Sequence, residues 1–276
     1  MCSDRSKVKE TLINSSANEM KHEAHGTQQP RHIDKIGEGA SAAQRSDSLV
    51  QPINQRFLNN PNRITPVDPA IEAYMRDLAK RTDHPVLAEM EAFAQAHQFP
   101  IVNRLAGIFL ETQAKMIGAK RVFEFGSGYG YSAYWFARAV GEGGCVICCD
   151  SDARNLERAQ RYLSQTNLWE RVQFNVGMAQ AVFAQTDGLF DICYNDADKG
   201  DYPQIWLMAK QRIRPGGLYI ADNVLWQGRV TMPAYHDSAM GSTAAIVEHN
   251  RLIFNDPEFD AFINPTRDGL VVARRK

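Results

Sequence analysis

Residues 1–56 contain no Phe, Trp or Tyr. Ser, Asn, Gln, Lys, Glu and Gly dominate them, and such a stretch buries too little apolar surface to offset the entropy of ordering it. Residues 1–60 are therefore expected to be a disordered N-terminal extension. The stretch also lacks the apolar run of a secretion signal. Its acids Asp4, Glu10, Glu19, Glu23, Asp34, Glu38 and Asp47 are too many for a typical transit peptide. His22 and His25 read as part of a solvated tail rather than as metal ligands.

No sign of charge dominates: 31 Lys and Arg face 32 Asp and Glu, a formal net charge of -1. The first 60 residues hold 8 basic and 7 acidic residues, and the remainder 23 and 25. Neither part carries the basic footprint of a nucleic-acid binder, so nucleic acid is a disfavoured partner. No apolar run approaches the ~20 residues that span a bilayer, and no membrane partner is expected. Cysteine is sparse, with five residues at Cys2, Cys145, Cys148, Cys149 and Cys193. Cys145 and Cys148 have CxxC spacing, but their surroundings are strand-like, and residues three apart on a strand point to opposite faces. Buried free thiols in a reducing, cytoplasmic setting are expected instead of a disulfide framework or a zinc site.

What is present, 276 residues with 44% hydrophobic content, suffices for a substantial core. The composition changes near Asn60, and one domain is expected over residues 66–276. Ile71, Tyr74, Met75 and Leu78 recur at helical spacing after Asp68 and Pro69, a cap and a first-turn residue. Further helices are predicted over 85–97, with Leu87, Met90 and Phe93 on one stripe, and over 105–117. Strands then read at 121–125, 145–149, 171–176, 190–195 and 217–222, with helices between them at 131–140, 153–166, 179–183 and 202–213. A helix over 243–255 and a hairpin of 259–264 with 269–274 close the chain. Alternating strands and helices predict an α/β fold, a parallel sheet covered on both faces.

Glu124-Phe125-Gly126-Ser127-Gly128-Tyr129-Gly130 follows the first strand and opens a helix. Glycines there let the backbone turn sharply and approach a ligand at the helix N-terminus. Such turns serve NAD, FAD and phosphate as well as S-adenosylmethionine. Here the spacing is GxGxG, Tyr131 stands where a dinucleotide fold wants its third glycine, and Glu124 precedes the first glycine by two residues. Asp150 ends the next strand, where a ribose diol would be held.

Asp196, with Ala197-Asp198-Lys199 behind it, follows the fourth strand, and Asp222-Asn223 closes the fifth. Ligands of open parallel sheets bind beyond the carboxyl ends of the strands, so Asp196, Asp222 and Asn223 are expected in one crevice. Two carboxylates and an amide suit Mg²⁺, or another divalent ion such as Mn²⁺ or Ca²⁺, better than zinc. Each acid by itself is also ordinary helix-cap or turn chemistry.

From about Asp68 to Lys276 the chain resembles the cation-dependent class I O-methyltransferases, the family of the catechol and caffeoyl-coenzyme A enzymes. The residues that carry the resemblance are Glu124 to Ser132, Asp150, Val176-Gly177-Met178-Ala179-Gln180, Asp196 to Lys199 with Tyr202, and Arg214-Pro215-Gly216-Gly217 leading to Asp222-Asn223-Val224-Leu225-Trp226. The resemblance implies a Rossmann-like sheet of seven strands, mostly parallel with an antiparallel last strand, and commonly a homodimer. It further implies that Glu124, Gly126, Ser127, Ser132, Asp150, Ala179, Gln180 and Asp196 hold S-adenosylmethionine. Ser132 would meet the methionine carboxylate, Asp150 the ribose and Ala179-Gln180 the adenine. Asp196, Asp222 and Asn223 match the metal ligands, and Lys199, beside Asp196, matches the general base. The extension before Asp68 has no counterpart.

The expected reaction is methyl transfer to a hydroxyl of a small phenolic or catechol-like acceptor. Two other readings predict different observables: a tRNA hydroxyuridine O-methyltransferase of the same family, and an NAD-dependent oxidoreductase with no use for Asp222-Asn223. Acceptor choice is expected to lie in residues 97–104 and 226–242. Trp226 and Tyr235, in or after the loop following Asp222, are assigned no role.

Overall fold

The computed structural model describes residues 67–79, 84–232 and 241–276; the 1–60 extension and Tyr235 lie outside them. Helix α1 (Pro69–Leu78) begins as expected, with the Asp68 carboxylate accepting from the Ala70 N–H at 2.7 Å and proline in the first turn. Its apolar stripe stays in solvent: Ile71, Tyr74 and Leu78 are each more than half exposed. Without burial, α1 depends on its cap, so Asp68→Ala should weaken it by about 1 kcal/mol. Faster amide exchange confined to α1, with an unchanged global melting temperature, is the expected readout.

Helices α2 (Val86–His97) and α3 (Arg104–Met116) bury Val86, Leu87, Met90 and Ala94 on one and Ala106, Leu110 and Ala114 on the other. Arg104 clamps them together by donating to both Glu91 oxygens, at 3.0 and 2.9 Å. There follow β1 (Arg121–Phe125), α4 (Tyr131–Val140), β2 (Cys145–Asp150), α5 (Ala153–Ser164), β3 (Val172–Val176), α6 (Ala179–Gln185), β4 (Phe190–Asn195), α7 (Tyr202–Ala209), β5 (Ile213–Ala221), α8 (Ser242–Phe254), β6 (Phe259–Asn264) and β7 (Leu270–Arg275).

The helix predicted over 202–213 is the main departure. It stops at Ala209, and β5 starts at Ile213 rather than at 217. Ile213 pairs with Phe190, and an irregularity in the β4–β5 ladder then absorbs Pro215 and Gly216 before Leu218 pairs with Ile192. A turn-like Arg-Pro-Gly-Gly run thus sits inside a strand, as a bulge allows.

The seven strands form one sheet in the order β3-β2-β1-β4-β5-β7-β6, with β7 antiparallel to both neighbours. One core layer sets α2, α3, α4 and α5 against the first face; the other sets α6, α7 and α8 against the second. Cys148 lies in the first layer and Cys145 packs on the second, so the CxxC pair is split across the sheet. Cys148, Cys149 and Cys193 are free and buried, as expected. No helix among the described residues is long and apolar enough to cross a membrane.

Candidate active site

The strand order reverses between β1 and β4, the place where open α/β sheets leave a crevice. Phe125 pairs with Asn195 and Asn195 with Ala221, so β1, β4 and β5 end level with one another. The three loops leaving them meet. The Asp196 N–H donates to the Phe125 carbonyl at 2.9 Å, and the Asp222 N–H donates to the Asn195 carbonyl at 3.1 Å.

The glycine turn is pressed against this junction. Gly126 has φ +78°, and a Cβ built on it would lie 2.8 Å from the Asp196 carbonyl oxygen and 2.9 Å from Ala197 Cα. Only a residue without a side chain permits that approach. Ser127 ties the turn to β2: its N–H donates to the Cys149 carbonyl at 2.9 Å, and its Oγ accepts from the Cys149 N–H at 3.1 Å. Gly130, at φ +86°, then starts α4, whose first turn carries the buried Ser132.

Glu124 is fully buried beneath the turn. Its Oε2 accepts from Cys148 Sγ at 3.4 Å, while Oε1 has no hydrogen-bond partner. Burial raises its carboxyl to about 7, against the pull of the neighbouring Ser132, Ser127 and Cys148 groups. Asp150 stands at the end of β2, its Oδ1 accepting from the Asp152 N–H at 2.8 Å and from Asn155 Nδ2 at 3.1 Å. Ala179 and Gln180 open α6, and Gln180 Nε2 donates to Asp201 Oδ2 at 2.8 Å.

On the other side of Gly126, Lys199 Nζ donates to Asp196 Oδ1 and to the Tyr202 hydroxyl, both at 2.8 Å. A weaker contact of 3.4 Å reaches the Ala197 carbonyl. Tyr202 passes its own hydrogen to the Asp222 carbonyl at 3.0 Å, linking the β4 and β5 loops. Asp222 is fully buried, and burial first, then the nearby Asp196 charge, raises its carboxyl to about 6 although Arg267 opposes the shift. Its Oδ1 accepts from the Asn223 N–H at 2.8 Å and its Oδ2 from Arg267 Nη1 at 2.5 Å. Asn223 holds a left-handed φ of +60° and turns its amide nitrogen to Asp268 Oδ2 at 3.4 Å.

Against known proteins, a family described as O-methyltransferase matches residues 71–276. The chain belongs to the O-methyltransferase family. Similar relatives include a catechol O-methyltransferase of Niastella koreensis, 33% identical over 166 residues that cover 58% of this chain and 75% of the relative. A tricin synthase 1 of Oryza sativa subsp. japonica is 31% identical over 223 residues, 76% of this chain and 84% of the relative. The solved O-methyltransferase of Bacillus cereus in complex with SAH superposes with a TM-score of 0.68 at 28% identity, covering 75% of this chain and 97% of that one. Membership sets aside the oxidoreductase reading.

In this O-methyltransferase two groups of predicted residues converge. Glu124, Gly126, Ser127 and Ser132 form the turn side; Asp196, Lys199, Asp222 and Asn223 form the β4–β5 side. Asp150 and the Ala179-Gln180 pair sit at the ends of β2 and β3, further out along the same edge. Surface clefts of about 390 Å³, lined by Glu111 and Trp135, and about 420 Å³, lined by Phe109 and Phe262, belong to other parts of the molecule. Sequence reasoning missed Arg267. It lies 45 residues beyond Asp222 in the turn between β6 and β7, where no pattern marks it. Tyr202 belonged to the resemblance without a role. Its position three residues after Lys199, one helical turn on, was the available signal. Trp226 packs against the second core layer.

The buried Glu124 gives this O-methyltransferase a pH signature. Its carboxyl sits at about 7 against an ordinary 4.5, so the folded chain holds a proton that the unfolded chain releases. That stabilising proton is fully present below pH 4.5 and lost as pH rises to about 7, a span worth about 3 kcal/mol. Denaturant melts of wild type and Glu124→Gln should therefore diverge across pH 4.5–7, the wild type losing stability relative to the variant. Parallel curves over that window would contradict the assignment.

Proposed function

We propose that this O-methyltransferase transfers the methyl group of S-adenosylmethionine to a hydroxyl of a small catechol-like or phenolic acceptor. Use of S-adenosylmethionine follows from the family, and the SAH-bound relative supports it. The acceptor class draws support from the catechol O-methyltransferase and tricin synthase names of the relatives. The observation that carries the reading is the contact of Gly126 with the Asp196 backbone, which sets a cofactor-type turn directly against the Asp196–Lys199 pair.

The turn fits the donor. The buried Glu124 Oε1 has no partner in the protein, and a bound polar group would satisfy it. In this assignment Glu124, Gly126, Ser127 and Asp196 line the donor, Ser132 takes the methionine carboxylate at the start of α4, Asp150 the ribose, and Ala179 and Gln180 the adenine. When bound, S-adenosylmethionine supplies an activated methyl group on a sulfonium. The chain must supply an ionised acceptor, because a phenol loses its proton only near ~10.

Lys199 is the proposed base, with Asp196 as its partner. A neutral amine has two N–H bonds and one lone pair. In that form Asp196 Oδ1 and Tyr202 Oη keep the two hydrogens at 2.8 Å each, and an acceptor hydroxyl would displace the weaker 3.4 Å donation to the Ala197 carbonyl to reach the lone pair. A hydroxyl placed there loses its proton to Nζ as the oxygen gains the methyl group. Side-chain exposures of 14% for Lys199 and 25% for Asp196 leave the pair reachable yet mostly shielded from water.

Asp196, Asp222 and Asn223 have the donor chemistry of a Mg²⁺ site. As arranged they do not fit one. Both Asp222 oxygens and Asp196 Oδ1 are engaged by protein donors, and the Arg267 guanidinium stands at the Asp222 carboxylate. No step here is routed through a divalent ion.

Nucleic acid is not the proposed acceptor, and a homodimer is proposed from the family resemblance, open to sedimentation analysis. A cytoplasmic setting is proposed on the three free buried thiols. The deciding experiment incubates the full chain with S-adenosylmethionine and a panel of vicinal-diol phenolics or total RNA. A product one methyl heavier on a diol supports the reading, and methylation of RNA alone sinks it.

A further inference from the structure

We propose that Arg267 is the resident counter-cation of Asp222 and excludes a divalent metal ion from the Asp196–Asp222–Asn223 group, so that methyl transfer proceeds without one. The exclusion stands on the geometry; its consequence for turnover rests on the O-methyltransferase reading.

Asp222 is buried with no exposed surface, so its charge needs a partner supplied by the fold. Oδ1 takes the N–H of Asn223 at 2.8 Å and Oδ2 takes Arg267 Nη1 at 2.5 Å. The guanidinium is fixed at a second point, Nη2 donating at 2.9 Å to the Ile101 carbonyl in the segment between α2 and α3. Its main chain is equally committed. Arg267 holds φ +59°, a region that side chains of its kind rarely adopt. The turn that carries it is stitched to the loop after β5: the Val224 N–H donates to the Gly269 carbonyl at 3.1 Å and the Leu225 N–H to the Asp268 carbonyl at 2.9 Å. Asp268 itself is engaged by the Gln227 N–H and by the Asn223 amide.

The second carboxylate has its own donor, Lys199 Nζ on Asp196 Oδ1 at 2.8 Å. A divalent ion shared by both acids needs their oxygens at ~2.0–2.1 Å for Mg²⁺. Such an ion would stand against the always-protonated Arg267 guanidinium, which Asp222 Oδ2 and the Ile101 carbonyl hold in place. Three segments far apart in sequence, 101, 222–225 and 267–269, instead converge to hold a permanent monovalent cation at that carboxylate.

The test strips the purified full chain with chelator and titrates it with Mn²⁺, following the free ion by room-temperature electron paramagnetic resonance. Wild type should bind no Mn²⁺ tighter than roughly 1 mM, and Arg267→Lys, which keeps the charge, should behave likewise. Arg267→Gly, which frees Asp222 and suits the backbone, should bind Mn²⁺ at least ~10-fold tighter. Turnover of a vicinal-diol phenol by wild type should change less than about twofold between excess chelator and added Mg²⁺. Stoichiometric micromolar Mn²⁺ binding by wild type overturns the proposal, as does turnover that chelator abolishes and Mg²⁺ restores. Should Arg267→Gly fail to fold, the wild-type and Arg267→Lys titrations still decide. Absence of methyl transfer to any acceptor, with and without metal, counts against the function instead and leaves the Mn²⁺ titration to judge Arg267.

Discussion

Lys199→Met should lower kcat by roughly 10²–10⁴-fold, the range that positioned proton transfer contributes. The variant should keep the wild-type fold, because methionine has a similar length and can keep the packing of the lysine stem over the Tyr202 ring. Asp196 and Tyr202 lose one donor each, yet Tyr202 keeps its bond to the Asp222 carbonyl at 3.0 Å and Asp196 stays partly solvated. The loss should therefore fall on kcat and leave donor binding, measured by calorimetry with S-adenosylhomocysteine, nearly intact. A pH series separates a proton acceptor from a structural lysine. Without Lys199 the acceptor must ionise unaided, so the residual rate should climb steadily with pH toward ~10. Lys199→Arg should not rescue, because a guanidinium stays protonated. A variant that turns over like wild type, or loses rate only in proportion to lost folded protein, contradicts the role.

Gly126→Ala should abolish donor binding and cost stability together. The backbone there is left-handed at φ +78°, which costs an L-residue roughly 1–2 kcal/mol. The new Cβ would lie 2.8 Å from the Asp196 carbonyl and 2.9 Å from Ala197 Cα, backbone atoms that cannot rotate away. Overpacking of that kind adds about 1–3 kcal/mol. To relieve it the Asp196–Lys199 loop must retreat from the turn, opening the crevice at its centre. Denaturant melts should register the loss of stability, and calorimetry should register weakened S-adenosylhomocysteine binding. Gly143 makes the control: it has a similar φ of +74° but nothing within 4 Å of its would-be Cβ, so alanine there should cost the strain alone. Equal effects at the two positions would show that contact with Asp196 is irrelevant.

Most of the architecture was legible in advance because it follows from period and punctuation. The strands β1, β4 and β6 and helix α4 fall on the predicted residues. Each is a local pattern bounded by glycine or charge, and local patterns survive whatever the rest of the chain does. The exception at 210–216 is instructive. Arg-Pro-Gly-Gly reads as a turn in isolation, yet pairing with Phe190 draws Ile213 into the sheet, an influence no neighbouring residue announces. Likewise Ile71, Tyr74 and Leu78 spell a helix correctly but say nothing of whether a surface exists to cover them.

By itself, then, the sequence determined the α/β fold, the glycine turn and the identities of the acids at the strand ends, since all depend on residues within a few positions of one another. The sheet order supplied the rest, because it decides which loops become neighbours. It laid Gly126 on Asp196, set Lys199 between Asp196 and Tyr202, and carried Arg267 across 45 positions to Asp222. Charge partners chosen over such separations depend on tertiary distance alone, and that is why the cation at Asp222 could be read only from the folded chain.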